Sequence, residues 1–112
     1  MDPDEIEFTI EVGGADGSVV KPFGELDMAT QGELRDAIER RMAAGAVTLD
    51  LSGLRFIDTS GLRLILETTE NARRDGFDFA VLPGSPAIQR LSEVAGVAGL
   101  VPFRDSGPGA AS

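Results

Sequence analysis

The stretch Asp50-Leu51-Ser52-Gly53-Leu54-Arg55-Phe56-Ile57-Asp58-Thr59-Ser60-Gly61-Leu62 changes its period halfway along. Before it, Val47 to Leu51 alternates as a strand. Ser52-Gly53 marks a turn, and Leu54 to Ile57 returns to the core. Asp58 then stands where a helix N-cap belongs, because a short side-chain oxygen there satisfies the orphan N–H groups of the first turn. Leu62, Ile65, Leu66 and Thr69 carry an apolar stripe to about Arg74. Arg73, Arg74 and Gly76 supply the basic last turn and the left-handed stop that end a helix.

The same grammar repeats upstream. Ile6, Phe8, Ile10 and Val12 alternate with Glu7, Thr9 and Glu11, which predicts a half-buried strand. Gly13-Gly14-Ala15-Asp16-Gly17 suits a hairpin loop, and Ser18 to Leu26 resumes as a second strand. Pro22 removes one backbone donor there, which predicts an edge position or a bulge. Thr30 to Met42 reads as a helix, with Thr30 and Glu33 at capping-box spacing. Its stripe is Leu34, Ala37, Ile38, Arg41 and Met42, and Gly45 fits its stop.

Downstream, Phe77 to Leu82 predicts a further strand. Ser85-Pro86 opens a third helix, with Ser85 as N-cap and Pro86 in the first turn. Ile88, Leu91 and Ala95 form its inner stripe, and Gly96 ends it. Leu100 to Phe103 is read as a short last strand, and 105–112 as a disordered tail without periodicity. The order is β-β-α-β-α-β-α-β. Helical crossovers favour parallel pairing, so the expectation is an α/β domain over 1–104, with a mixed sheet of four to five strands and three helices.

Composition narrows the function. The chain has 112 residues, 10 Lys+Arg, 19 Asp+Glu and a net charge of −9, with no Cys and no His. One domain of this size buries roughly 65% of its unfolded surface, enough for a single core. Without Cys or His no zinc site of that kind and no His-activated nucleophile can be built. Net acidity without a basic cluster argues against nucleic acid and anionic lipid as partners. No apolar run approaches the roughly 20 residues of a membrane span, and the acidic start is unlike a secretory signal. The expectation is a cytoplasmic protein that is not an enzyme and needs no cofactor.

With Asp58 as N-cap, Ser60 falls at the second helical position, beside unpaired N–H groups and the positive end of the helix dipole. That environment tolerates an added phosphate. Gly61 would leave the approach to Ser60 open. The plainer reading of these residues is a helix cap on an inert turn. Asp27 has a plain reading too, as the cap of the turn that starts the first helix. Met28 and Leu62 suit either exposed apolar contacts or the core.

Four stretches resemble the STAS-domain anti-sigma factor antagonists. They are Gly24-Glu25-Leu26-Asp27-Met28-Ala29-Thr30, Val47 to Leu51, Phe56-Ile57-Asp58-Thr59-Ser60-Gly61-Leu62, and Val81-Leu82-Pro83-Gly84-Ser85. The resemblance implies a partner switch. Its members bind an anti-sigma factor serine kinase and so free a sigma factor. The kinase phosphorylates the serine at the helix start, here Ser60, and a phosphatase resets it. The implied binding residues are Asp27, Met28, Asp58, Thr59, Ser60, Gly61 and Leu62. Lys21-Pro22 departs from the usually apolar second strand of the family, and Thr59 offers a second hydroxyl. Related domains serve as scaffolds in stress-signalling complexes. A phospho-aspartate receiver is the rival from another class. It requires an acidic pair after the first strand and a late lysine, whereas Gly13-Gly14 follow the first strand and Lys21 is the only lysine.

Overall fold

The computed structural model describes residues 7–104. The start of the first expected strand at Ile6 and the tail 105–112 lie outside these residues. The chain runs β1 (Thr9–Gly13), β2 (Val19–Leu26), α1 (Gln31–Met42), β3 (Ala46–Asp50), β4 (Leu54–Ile57), α2 (Thr59–Asp75), β5 (Asp78–Leu82) and α3 (Pro86–Val94). A 3-10 turn, Leu51–Gly53, separates β3 from β4, and another, Ala98–Leu100, follows α3.

Five strands and three helices are present, as expected. The fifth strand, however, is Leu54–Ile57, and Leu100 to Phe103 contributes one isolated bridge between Val81 and Phe103. The sheet order is β1-β2-β3-β5, with β4 also paired to β2. β1 is antiparallel to β2 and the other pairings are parallel. β2 therefore organises the sheet: β1 flanks its first half, β3 meets Val19 and Val20, and β4 meets Gly24 to Leu26.

Pro22 is consequently neither at an edge nor in a bulge. It is fully buried in the most connected strand. Its missing donor is tolerated because the β3 ladder stops at Val20 and the β4 ladder begins at Gly24. The 3-10 turn crosses that gap. Asp50 caps it, its Oδ1 accepting from the Ser52 N–H at 2.9 Å. The register shift falls two residues after Pro22, between Gly24 and Glu25.

One face of β2 carries Val20, Pro22, Gly24 and Leu26, all buried. α1 lays Leu34 and Ile38 into the same core, and α2 adds Leu62, Leu64, Ile65 and Ala72. β3 brings Val47 and Leu49, and β5 brings Val81. The Thr30–Glu33 capping box does not form, since Thr30 makes no side-chain cap bond. Its hydroxyl is turned back to the Glu25 carbonyl, at 2.8 Å. Gly76, at φ +78°, and Ser85, accepting from the Ile88 N–H, terminate α2 and open α3 as the sequence indicates.

Gly53 lets the 3-10 turn lie against β2. A Cβ there would stand 2.7 Å from the Pro22 carbonyl and 2.8 Å from the Phe23 ring. Gly53→Ala should therefore force the turn off β2 and cost about 1–3 kcal/mol in urea unfolding, the scale of overpacking. Wild-type stability in that variant would show that the turn does not need this approach.

Candidate functional site

β2 and β4 run parallel and end together, with Leu26 paired to Ile57. The Asp58 N–H extends that ladder by one step, donating to the Leu26 carbonyl at 3.0 Å. The turns that lead into α1 and α2 thus leave the sheet side by side, at the C-terminal edge of the parallel strands. In open α/β sheets that edge is where binding sites gather.

Each turn is organised by an aspartate. Asp58 is extended, and its Oδ1 accepts from the Ser60 N–H at 2.8 Å and the Gly61 N–H at 3.2 Å. Its carbonyl accepts from the Leu62 N–H at 3.1 Å, the first full turn of α2. This is the N-cap expected from sequence. Asp27 does the same work one strand away. Its Oδ1 accepts from the Ala29 N–H at 2.9 Å and the Thr30 N–H at 3.1 Å, while the Asp27 N–H donates to the Thr30 hydroxyl at 3.0 Å. The plain reading of Asp27 as a turn cap is thus what the geometry shows.

These caps fix what stands on the edge. Thr59 is the first residue of α2 and exposed, and Ser60 is the second and half-buried. Among the described residues neither hydroxyl takes part in a hydrogen bond. Met28, at the tip of the Asp27 turn, is 78% exposed, which resolves its position in favour of the surface. Leu62 goes the other way, at 5% exposure, and belongs to the core. Gly61 is buried as well. Its role is not to open the approach to Ser60: a Cβ there would lie 2.6 Å from Ile57 Cγ1 and 2.8 Å from Leu26 Cγ. Gly61 is what lets α2 start hard against the ends of β2 and β4.

One exposed residue escapes the sequence reading. Phe56 is 48% exposed, although Leu54 to Ile57 reads as core. The register shift explains it. Gly24 pairs with Leu54 and Glu25 with Phe56, so Arg55 is the extra residue and Phe56 turns to the face of Glu25, away from the helices. No local sequence signal marks it, because the shift arises in the pairing of β4 with β2, which is remote in sequence. Pro83-Gly84 serves packing: a Cβ on Gly84 would lie 2.9 Å from Ile88 Cδ1 and 3.0 Å from the Leu51 carbonyl.

The fold is a small mixed α/β domain that sets two Asp-capped turns and the Thr59 and Ser60 hydroxyls at one end of its sheet. Residues 12–102 match the family model described as "Mlab, STAS domain", and the chain belongs to the STAS domain family. It is 34% identical over 92 residues to an anti-sigma F factor antagonist of Paenibacillus polymyxa, covering 79% of this chain and 78% of that one. Among solved structures, an anti-sigma factor antagonist from Mycobacterium paratuberculosis superposes with a TM-score of 0.73 at 31% identity, covering 93% of this chain and 89% of that one. The Bacillus cell fate determinant SpoIIAA in its phosphorylated form shares the fold, with a TM-score of 0.60 at 24% identity over 91% of this chain and 93% of that one.

The two caps make a stability prediction that separates hydrogen bonding from charge. Asp58→Ala should cost about 0.5–2 kcal/mol in urea unfolding, whereas Asp58→Asn should cost far less, because asparagine caps about as well as aspartate. Equal losses in the two variants would mean that the carboxylate charge, and not the cap, holds this turn.

Proposed function

We propose that this chain is an anti-sigma factor antagonist. Its unphosphorylated form binds an anti-sigma factor that is also a serine kinase, and the bound kinase releases a sigma factor. Phosphate on Ser60 ends the binding, and a serine phosphatase restores it. The observation that carries this reading is the position of Ser60: second residue of a capped helix, its hydroxyl without a hydrogen bond among the described residues, on the edge that also presents the Asp27 turn. The names of the relatives at 31% and 34% identity support the same direction.

In this reading the residues divide their work. Asp58 and Gly61 build the platform, the first by capping α2 and the second by letting it seat on Leu26 and Ile57. Leu62 anchors the helix in the core. Met28, Thr59 and Ser60 meet the partner, and Met28 suits an adaptable contact because its side chain is unbranched and polarisable. Asp27 holds Met28 in place and adds a negative charge near the docking surface.

Charge explains why phosphate would act as a switch. It adds about −1.5 to −2 charges at neutral pH. Like charges brought together in an interface cost several kcal/mol, and each 1.4 kcal/mol is about tenfold in affinity. Ser60→Ala should retain partner binding in a pull-down and lose phosphate acceptance. Ser60→Asp should weaken binding by about tenfold or more. Mass spectrometry after incubation with the cognate kinase and ATP should find phosphate on Ser60. Phosphate on Thr59 alone, or a Ser60→Asp variant that binds as well as wild type, would remove the basis of the switch.

A further inference from the structure

The two edges of the sheet are treated differently. The outer edge of β5 is covered by 102–104: the Val81 N–H donates to the Pro102 carbonyl at 3.0 Å, and the Arg104 N–H donates to the Val81 carbonyl at 2.8 Å. No described residue covers the outer edge of β1. An uncovered edge presents a row of unpaired N–H and C=O groups, a template for another strand.

What flanks that edge gives it chemistry. Ile10 and Val12 point to the helix side, paired with Pro22 and Val20. Together with Ala37, Arg40 and Arg41 of α1 they line a groove of about 360 Å³. Val12 is 53% exposed at its floor. The two arginines make one end of the groove cationic. In a chain of net charge −9, carboxylates outnumber cations nearly two to one. Among the described residues, Arg35, Arg73 and Arg74 each reach a carboxylate, whereas Arg40 and Arg41, like Arg55, Arg63, Arg90 and Arg104, form no ion pair. Arg40 Nε donates only to its own helix, to the Asp36 carbonyl at 3.3 Å. Arg41 Nη2 donates to the Asp16 carbonyl at 3.0 Å, and its Nε is shut off from solvent with no partner. The Asp16 contact also places the cationic end of the groove at the hairpin, beside the Gly13 end of β1.

We propose that β1 and this groove receive an extended, acidic segment of a partner protein, added to the sheet as a further strand. Backbone pairing to Thr9–Gly13 supplies the affinity, and alternate side chains dropping into the groove supply the selectivity. An apolar side chain sits over Ile10 and Val12, and an acidic one two residues away meets Arg40 and Arg41. The occupant is a different chain and not a second copy. Symmetric antiparallel pairing of β1 about its midpoint would set Glu11 against Glu11 of the second copy, and like charges directly opposite destabilise a strand pair. The surface is independent of the switch edge. Along β2, the partners of Ile10 and Val12, Pro22 and Val20, lie about 13 and 20 Å from Leu26, which meets Asp58. A partner held here stays bound whatever the state of Ser60.

The test is amide NMR of the full chain titrated with two capped synthetic heptapeptides. Both alternate threonine with valine, one carries glutamate at its sixth position, and the other carries lysine there. The glutamate peptide should shift the amides of Thr9–Gly13 and bind about fivefold more tightly than the lysine peptide, the scale of one exposed charge pair. Arg40→Glu should reverse that preference; Arg40 holds only an intrahelical contact, so the variant keeps its fold. Equal binding of the two peptides, absence of β1 shifts at millimolar peptide, or concentration-dependent β1 shifts of the protein alone would each overturn the proposal. The last would assign the edge to self-association.

Discussion

The hydrogen bond from the Asp58 N–H to the Leu26 carbonyl is the junction on which the C-terminal edge of the parallel strands depends. It carries the β2–β4 ladder one residue past the sheet and so ties two turns together that are otherwise far apart in sequence. The Asp58 side chain then uses its freedom to cap α2. A single residue thereby fixes both where the helix begins and which neighbour it begins beside. Everything placed on that edge, Met28, Thr59 and Ser60, inherits its position from this arrangement. Gly61 completes it, because any side chain there would meet Ile57 and Leu26.

β2 bears the cost of this economy. It serves three neighbours with eight residues, and no single strand could follow its full length on the far side. β3 leaves it after Val20, the 3-10 turn crosses opposite Pro22, and β4 resumes at Gly24. The proline is therefore the residue that fits, since a ladder donor at that point has no acceptor waiting on the β3–β4 side. Gly53 and Gly24 carry the close approach on either side of it. Gly24 does so at φ +98°, with Phe8 Cα 3.2 Å from where a Cβ would stand.

Much of this was written in local pattern. The period-two runs, the Asp58 and Ser85 caps and the Gly76 and Gly96 stops depend on residues close in sequence, and they fell where the local rules put them. What sequence did not disclose were effects of long-range pairing. Pro22 read as an edge residue because its tolerance comes from a gap made 30 residues later. Phe56 read as core because the register shift that turns it outward belongs to the pairing with Glu25. Thr30 read as a capping-box residue because its preference for the Glu25 carbonyl depends on how tightly the Asp27 turn closes. Gly61 read as an opening for the same reason: the side chains that demand it, Leu26 and Ile57, are known only from the packed structure.

The same geometry decides where the effect of a phosphate on Ser60 would be expressed. A helix N-terminus usually rewards an anion through its free N–H groups, by about 0.3–1 kcal/mol. Here the Ser60 and Gly61 N–H groups are already taken by Asp58 Oδ1. A phosphate would have to compete with that carboxylate or leave it in place and face its charge. Either way the internal gain is small, and the domain has no reason to rearrange around the new group. The caps that position the hydroxyl are the same groups that would deny a phosphate there a home. The charge would be left on the surface and not taken up by the fold.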